Sequence, residues 1–160
     1  MGLRIGIGHD THRLGADRPL RLGGVEIPGS SGLIGHSDAD ALLHAVIDAV
    51  LGAAGLGDLG EHFPDSDPRF KNADSAALLT AALAKLPAGS RVVNLDCIVH
   101  AEAPKLTPHK PALRRRLAEL LGAAETTINV KAKTGERVGP VGRGEAIAAE
   151  AVLLMDIPGA

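Results

Sequence analysis

His36-Ser37-Asp38-Ala39-Asp40-Ala41-Leu42-Leu43-His44-Ala45-Val46-Ile47-Asp48-Ala49-Val50-Leu51 is the stretch on which the fold turns. Leu43, Val46, Ile47, Val50 and Leu51 recur at helical spacing, which predicts a helix with one buried face. Ser37 or Asp38 can cap its start, and Gly55 and Gly57 stop it. Beside the apolar face, Asp40, His44 and Asp48 stand at i, i+4 and i+8 and form a polar stripe.

Upstream, residues 3–8 mix β-branched residues with glycine and read as a strand. Leu20 to Ile27 reads as a second extended stretch turning at Gly23-Gly24, and Gly29 to Gly35 reads as loop by composition. Downstream, Gly55 to Lys71 is a loop dense in Gly, Pro and Asp, and a second helix runs from Ala73 to Leu86 before Pro87. Val92 to His100 reads as a buried strand. Thr107 caps a third helix with Pro108 in its first turn and Gly122 past its end. Thr127 to Ala132 alternates as a strand, while Gly144 to Ile157 fits helix or strand, and we lean towards strand. The order of elements predicts an α/β layering, an α+β sandwich in which a mixed sheet of about four main strands carries helices on one face.

Composition narrows the function. The 160 residues, 45% of them apolar, suffice for one domain over 1–160 with a real core. Seventeen basic residues against 19 acidic ones leave no footprint for nucleic acid or an anionic membrane. Two Phe and no Trp or Tyr mean that Ala, Leu, Val and Ile fill the core, which we expect subunit association to reinforce. Cys97, the single cysteine, lies in an apolar run and reads as a buried small hydrophobe. No signal-peptide layout and no membrane-length apolar run occur, so we expect a soluble cytoplasmic protein.

The chemistry starts at Asp10-Thr11-His12, at the end of the first strand. Residues two apart in an extended segment point to the same side, so Asp10 and His12 can converge on one cation. His44, on the helix stripe, can supply a third ligand. One carboxylate and two imidazoles with a fourth position open is the ligand count of a catalytic zinc site, although ligand type alone also admits manganese. Taken alone, Asp10 and His12 fit a loop and His44 a solvent-side histidine; the His36 to His44 motif alongside reverses that preference. His36-Ser37, at the expected helix start, suits a phosphate, and Ser37 also suits a plain cap. The loop Gly57 to Pro68 reads on spacing alone as a turn-rich surface segment. Lys131 to Glu136 leaves a strand with two lysines and a threonine, and Glu136 could hold a second, hard cation.

Together, six motifs resemble the 2-C-methyl-D-erythritol 2,4-cyclodiphosphate synthase family across nearly the whole chain. They are Gly8-His9-Asp10-Thr11-His12, His36 to His44, Gly57-Asp58-Leu59-Gly60, Phe63-Pro64-Asp65-Ser66-Asp67-Pro68, Ala103-Pro104-Lys105 and Gly142-Arg143-Gly144-Glu145. The resemblance implies a homotrimer whose sheets face the central axis, with an active site at each subunit boundary. It implies zinc on Asp10, His12 and His44, and a Mg or Mn ion on Glu136 between substrate phosphates. His36 and Thr134 would stabilise the transition state, with Ser37 beside the substrate. Asp58, Leu59 and Gly60 would meet the ribose and erythritol region, and Phe63, Pro64, Asp65, Ser66 and Asp67 would close over the methylerythritol. From the neighbouring subunit, Ala101, Glu102, Ala103, Pro104, Lys105, Leu106 and Thr107 would cradle the cytidine diphosphate, together with Lys133 and Gly135. Pro140 and Arg143 would line a site on the trimer axis.

The implied activity is that of a phosphorus–oxygen lyase of non-mevalonate isoprenoid-precursor synthesis. It cyclises 4-diphosphocytidyl-2-C-methyl-D-erythritol 2-phosphate and releases CMP. This chain departs from the family in carrying Lys133-Thr134-Gly135 where a run of Thr precedes the Glu. Pro140 and His9 also stand where aromatics are usual. His62, His100 and His109 read as structural or surface histidines, and Asp48 either orients a metal ligand or is surface-exposed. Two rival readings are a zinc phosphohydrolase, in which water attacks instead of the internal phosphate, and a trimeric metal- or isoprenoid-binding module without turnover.

Overall fold

The computed structural model describes residues 2–159. Five strands form one mixed sheet in the order β2-β1-β5-β3-β4. β1 (Leu3–Leu22) and β2 (Val25–Ile34) make a long antiparallel hairpin, and β5 (Ala146–Asp156) lies antiparallel between β1 and β3 (Arg91–His100). β4 (Ile128–Lys133) pairs parallel to β3 at the edge. The α/β layering is as expected, with five strands rather than about four.

The hairpin turns at Gly23 and Gly24, with φ of 59° and 73°. Two successive positive φ values match the twist of the flanking strands and favour glycine at both positions. The expected loop over 29–35 is strand as far as Ile34, because pairing to β1 (Leu14 with Leu33, Ala16 with Gly32) overrides its Gly- and Ser-rich composition. The same pairing carries β1 fourteen residues past the expected end at 8, with register shifts between Leu14 and Leu20.

α1 (Ala41–Ala54) packs along β1 and β5. It starts later than expected, since Asp40, not Ser37 or Asp38, caps it, and it ends at Gly55 in the left-handed conformation. α2 (Leu59–His62) is a single turn inside the expected loop, capped by Asp58. α3 (Ser75–Leu83) is shorter than the expected 73–86, starting at its Asp74 cap and loosening after Leu83 into turns. At Thr107 the chain forms a 3-10 turn (Thr107–His109), and α4 (Lys110–Leu121) follows, ending at Gly122. α5 (Gly139–Gly142) is one turn before β5.

One apolar core lies between the sheet and α1, α3 and α4. Its helix-side layer is made of small residues where α1 crosses the sheet. A Cβ at Gly6 would stand 1.8 Å from the Ala49 carbonyl oxygen, and one at Gly8 would stand 1.9 Å from that of Ala45. The opposite sheet face presents Leu3, Ile5 (73% exposed), Ile7 (72%) and Val152. Among the described residues, no helix is long and apolar enough to cross a membrane.

Candidate metal centre

Asp10 and His12, on β1, and His44, on α1, meet at the end of the helix–sheet seam. Their candidate ligand atoms all lie within 4.8 Å of one another, in the only such cluster among the described residues. His12 Nδ1 is 2.8 Å from Asp10 Oδ2 and His44 Nδ1 is 3.1 Å from the same oxygen. The two imidazoles are 5.1 Å apart between centroids and tilted by 60°. His12 Nδ1 is buried and, despite its closeness to Asp10, is not aligned for a hydrogen bond and has no partner. A buried nitrogen without a partner, facing a carboxylate and a second imidazole, fits a divalent cation.

The electrostatics agree. Burial alone would raise the Asp10 carboxyl, but the adjacent imidazoles outweigh it and hold the group far below the usual carboxylate range. At His44, burial opposes the charge, yet Asp10, with Asp40 and Asp38 behind it, raises the imidazole above its ordinary value. The centre therefore concentrates negative potential where a cation would sit.

The centre opens on a cavity of about 350 Å³ bordered by His36, Ser37, Phe63 and Asp65. His36 Nε2 is 3.3 Å from the Asp67 carbonyl oxygen, and the His36 carbonyl accepts from the Asn72 N–H. Phe63 stands edge-on to Phe70, with centroids 5.4 Å apart, and Asp67 is forked by Arg69 at 2.6 and 2.9 Å. Pro64 and Ser66 lie in the same loop. Asp58 spends its carboxylate on the Glu61 N–H, with Leu59 and Gly60 inside the turn it caps.

His36-Ser37 does not stand at a helix N-terminus, so the helix-end anion site is corrected. The start of α1 is closed by Asp40, which is fully buried and accepts from Gly23, Gly24 and Leu43. Of the polar stripe expected on this helix, Asp40 and His44 are buried and Asp48 is half-buried. Asp48 accepts from the Leu59 N–H at 2.7 Å and anchors the loop.

Two contributors escaped the sequence reading. Arg18 donates to the carbonyls of Leu33 (2.6 and 2.8 Å) and Ser37 (2.9 Å), bracketing His36. Ser75 is fully buried against His44 and Asp38. Neither has a spacing signal, because each acts across segments that only the tertiary fold brings together.

The remaining expected residues gather elsewhere. Ala101, Glu102, Pro104, Lys105, Leu106, Thr107, Lys133 and Thr134 line a second cavity of about 320 Å³, with Ala103 in the same turn. Glu102 accepts from the Gly135 N–H at 3.1 Å, and Thr134 Oγ1 is 2.9 Å from Glu136 Oε1. Pro140 is in α5, and Arg143 forks Glu145 at 2.8 and 3.0 Å. In the sheet register, Thr11, Ala148, His100 and Lys133 form one row across β1, β5, β3 and β4. Three strand spacings, about 14 Å in all, thus separate the two groups within one chain.

Comparison with known proteins agrees with this architecture. The 2-C-methyl-D-erythritol 2,4-cyclodiphosphate synthase of Bordetella avium is 58% identical over 153 residues, covering 95% of this chain and 94% of its own. That of Halalkalibacterium halodurans is 54% identical, covering 96% and 98%. A solved cyclodiphosphate synthase in its CDP-bound form superposes with a TM-score of 0.87 at 40% identity, covering 96% of this chain and all of that one. The YgbB family model matches residues 3–156, and with relatives more than half identical along nearly their full length, the chain belongs to the YgbB family.

Proposed function

We propose that this protein cyclises 4-diphosphocytidyl-2-C-methyl-D-erythritol 2-phosphate to 2-C-methyl-D-erythritol 2,4-cyclodiphosphate with release of CMP. It would act as a phosphorus–oxygen lyase of non-mevalonate isoprenoid-precursor synthesis in the cytoplasm. The observation that carries the reading is the Asp10–His12–His44 centre opening on a cavity, in a chain whose relatives are named for this synthase.

An oxygen of the 2-phosphate bonds to the β-phosphorus in line, the bond from β-phosphorus to the bridging oxygen breaks, and CMP leaves with that electron pair. The nucleophile belongs to the substrate, so the protein needs no activated Ser or Cys, and buried Cys97 fits that requirement. The protein's work is orientation and charge neutralisation. Asp10, His12 and His44 would hold zinc, and Glu136 a Mg or Mn ion; such cations would supply electrostatic stabilisation of the developing charge. His36 and Thr134 donate to the phosphoryl oxygens in the transition state. Ser37, Asp58, Leu59 and Gly60 border the sugar, and the Phe63–Asp67 loop excludes water over the methylerythritol. Ala101–Thr107, with Lys133 and Gly135, receive the cytidine diphosphate.

These groups complete one site when the second cavity comes from another copy, which is why we read the protein as a homotrimer with sites at subunit boundaries. The exposed apolar sheet face of Leu3, Ile5 and Ile7 supports burial against such copies, with Pro140 and Arg143 towards the axis. The test is phosphorus NMR of the metal-loaded protein with this substrate, with His44→Ala as control. Cyclic diphosphate and CMP, both lost in the variant, are the expected result. A linear product would replace the synthase with a phosphohydrolase, and no turnover by a metal-loaded trimer would leave a binding module.

A further inference from the structure

We propose that Ser75 and Asp38 are positioning residues that fix which nitrogen of His44 faces a divalent cation, and thereby set the metal affinity of the centre. This rests on the reading of Asp10, His12 and His44 as metal ligands. His44 is engaged at both ring nitrogens. Nδ1 lies 3.1 Å from Asp10 Oδ2, while Nε2 lies 3.0 Å from Ser75 Oγ and 3.1 Å from Ser37 Oγ.

A hydroxyl has one proton to give and lone pairs to receive. The neighbours of Ser75 Oγ decide where its proton goes. On one side is Asp38 Oδ1, in a short hydrogen bond, and on the other is the imidazole. Asp38 acts as an acceptor throughout: Oδ2 takes the Ser75 N–H at 3.1 Å and Oδ1 also takes the Asp40 N–H at 3.2 Å. The Ser75 proton therefore points at Asp38, and Ser75 turns a lone pair towards His44.

Two facing lone pairs repel, so Nε2 carries a proton and donates it. Ser37 fits the same assignment, since its Oγ already accepts from the Ala39 N–H. With a cation in place of the proton that Nδ1 would otherwise share with Asp10, the nitrogen left to offer a lone pair is Nδ1, the one aimed at Asp10 and His12. A chain of three side chains, Asp38, Ser75 and His44, thus selects the metal-binding tautomer. The buried Ser75, with no exposed surface, excludes the water that could otherwise accept or donate at Nε2.

Zinc affinity is measured by competition with a chromophoric chelator for wild type, Ser75→Ala and Asp38→Asn. The histidine ring nitrogens of the zinc-loaded proteins are followed in parallel by ¹H–¹⁵N NMR. Ser75→Ala removes the hydroxyl but keeps its backbone N–H bond to Asp38. We expect zinc binding weakened about 10- to 100-fold, as for other partners of metal-bound histidines. The protected His44 Nε2–H resonance of the wild type should be lost to water exchange. Asp38→Asn must set an amide N–H against one of three donors and is expected to act in the same direction; it carries the test if Ser75→Ala does not fold. Zinc affinity within twofold of wild type in a folded variant, or a wild-type His44 protonated at Nδ1, would overturn the proposal. A wild type that binds no zinc would overturn the metal centre itself, and this inference with it.

Discussion

Asp40→Ala is expected to destabilise the protein by about 4 kcal/mol, although Asp40 touches neither His12 nor Asp10. Its carboxylate accepts from Gly23 N (2.8 Å), Gly24 N (2.7 Å) and Leu43 N (3.0 Å), so it ties the turn of the β1–β2 hairpin to the start of α1. Alanine strips all three donors. The Gly23 and Leu43 bonds are buried and the Gly24 bond partly so. A stripped buried donor costs about 1–3 kcal/mol, so three cost about 3–9 kcal/mol. Burial raises the Asp40 carboxyl above its ordinary value, so deleting it recovers some desolvation energy and lowers the total. At about 2–4 °C per kcal/mol for a domain of this size, the melting temperature should fall by about 8–16 °C. The assay is urea unfolding by circular dichroism at fixed protein concentration, with divalent metal chelated so that binding adds nothing. Asp40→Asn keeps one acceptor oxygen and should lose less stability than Asp40→Ala. A loss below about 1 kcal/mol for the alanine variant would refute the reasoning, because it would mean that the three amides find other partners.

Gly8→Ala forces a methyl against the Ala45 carbonyl oxygen and should destabilise by about 3 kcal/mol or more, with soluble yield and melting temperature as the readouts. Burial pushes the Cys97 thiol up to about 12, so a maleimide at pH 8 should label it only after urea is added. The unfolded thiol releases its proton from its ordinary value near 9.0, while the folded one holds it to about 12. The native state then binds more protons across that window, and stability should fall as pH rises above 9. Arg18→Ala frees the carbonyls of Leu33 and Ser37 and should cost about 1–2 kcal/mol; faster amide hydrogen exchange around His36, with the sheet centre unchanged, is the specific signature.

The sequence was most informative where structure is local. Helical spacing found α1, and period-two alternation found the shared side of Asp10 and His12, so the candidate metal cluster was legible from residues 10 to 44. Residues 29–34 were not, because Gly and Ser favour turns and only pairing with distant β1 residues makes them a strand. The cap of α1 was misplaced for a related reason. Ser37, Asp38 and Asp40 are all good caps, and the choice is made by the Gly23 and Gly24 amides, which lie 17 and 16 residues back from Asp40. Ser75 and Arg18 were invisible in the same way: their partners are backbone carbonyls and side chains that no local spacing marks.

The seam where Gly6 and Gly8 meet the carbonyls of Ala49 and Ala45 bears on more than packing. Two of the three candidate ligands ride on the strand and the third on the helix, so the width of that seam sets the spacing at which they could grip a cation. Metal–ligand distances tolerate only about 0.2 Å, far less than the size of a methyl group. The smallest residues in the chain thus act as calipers, and a side chain there would push Asp10 and His12 away from His44.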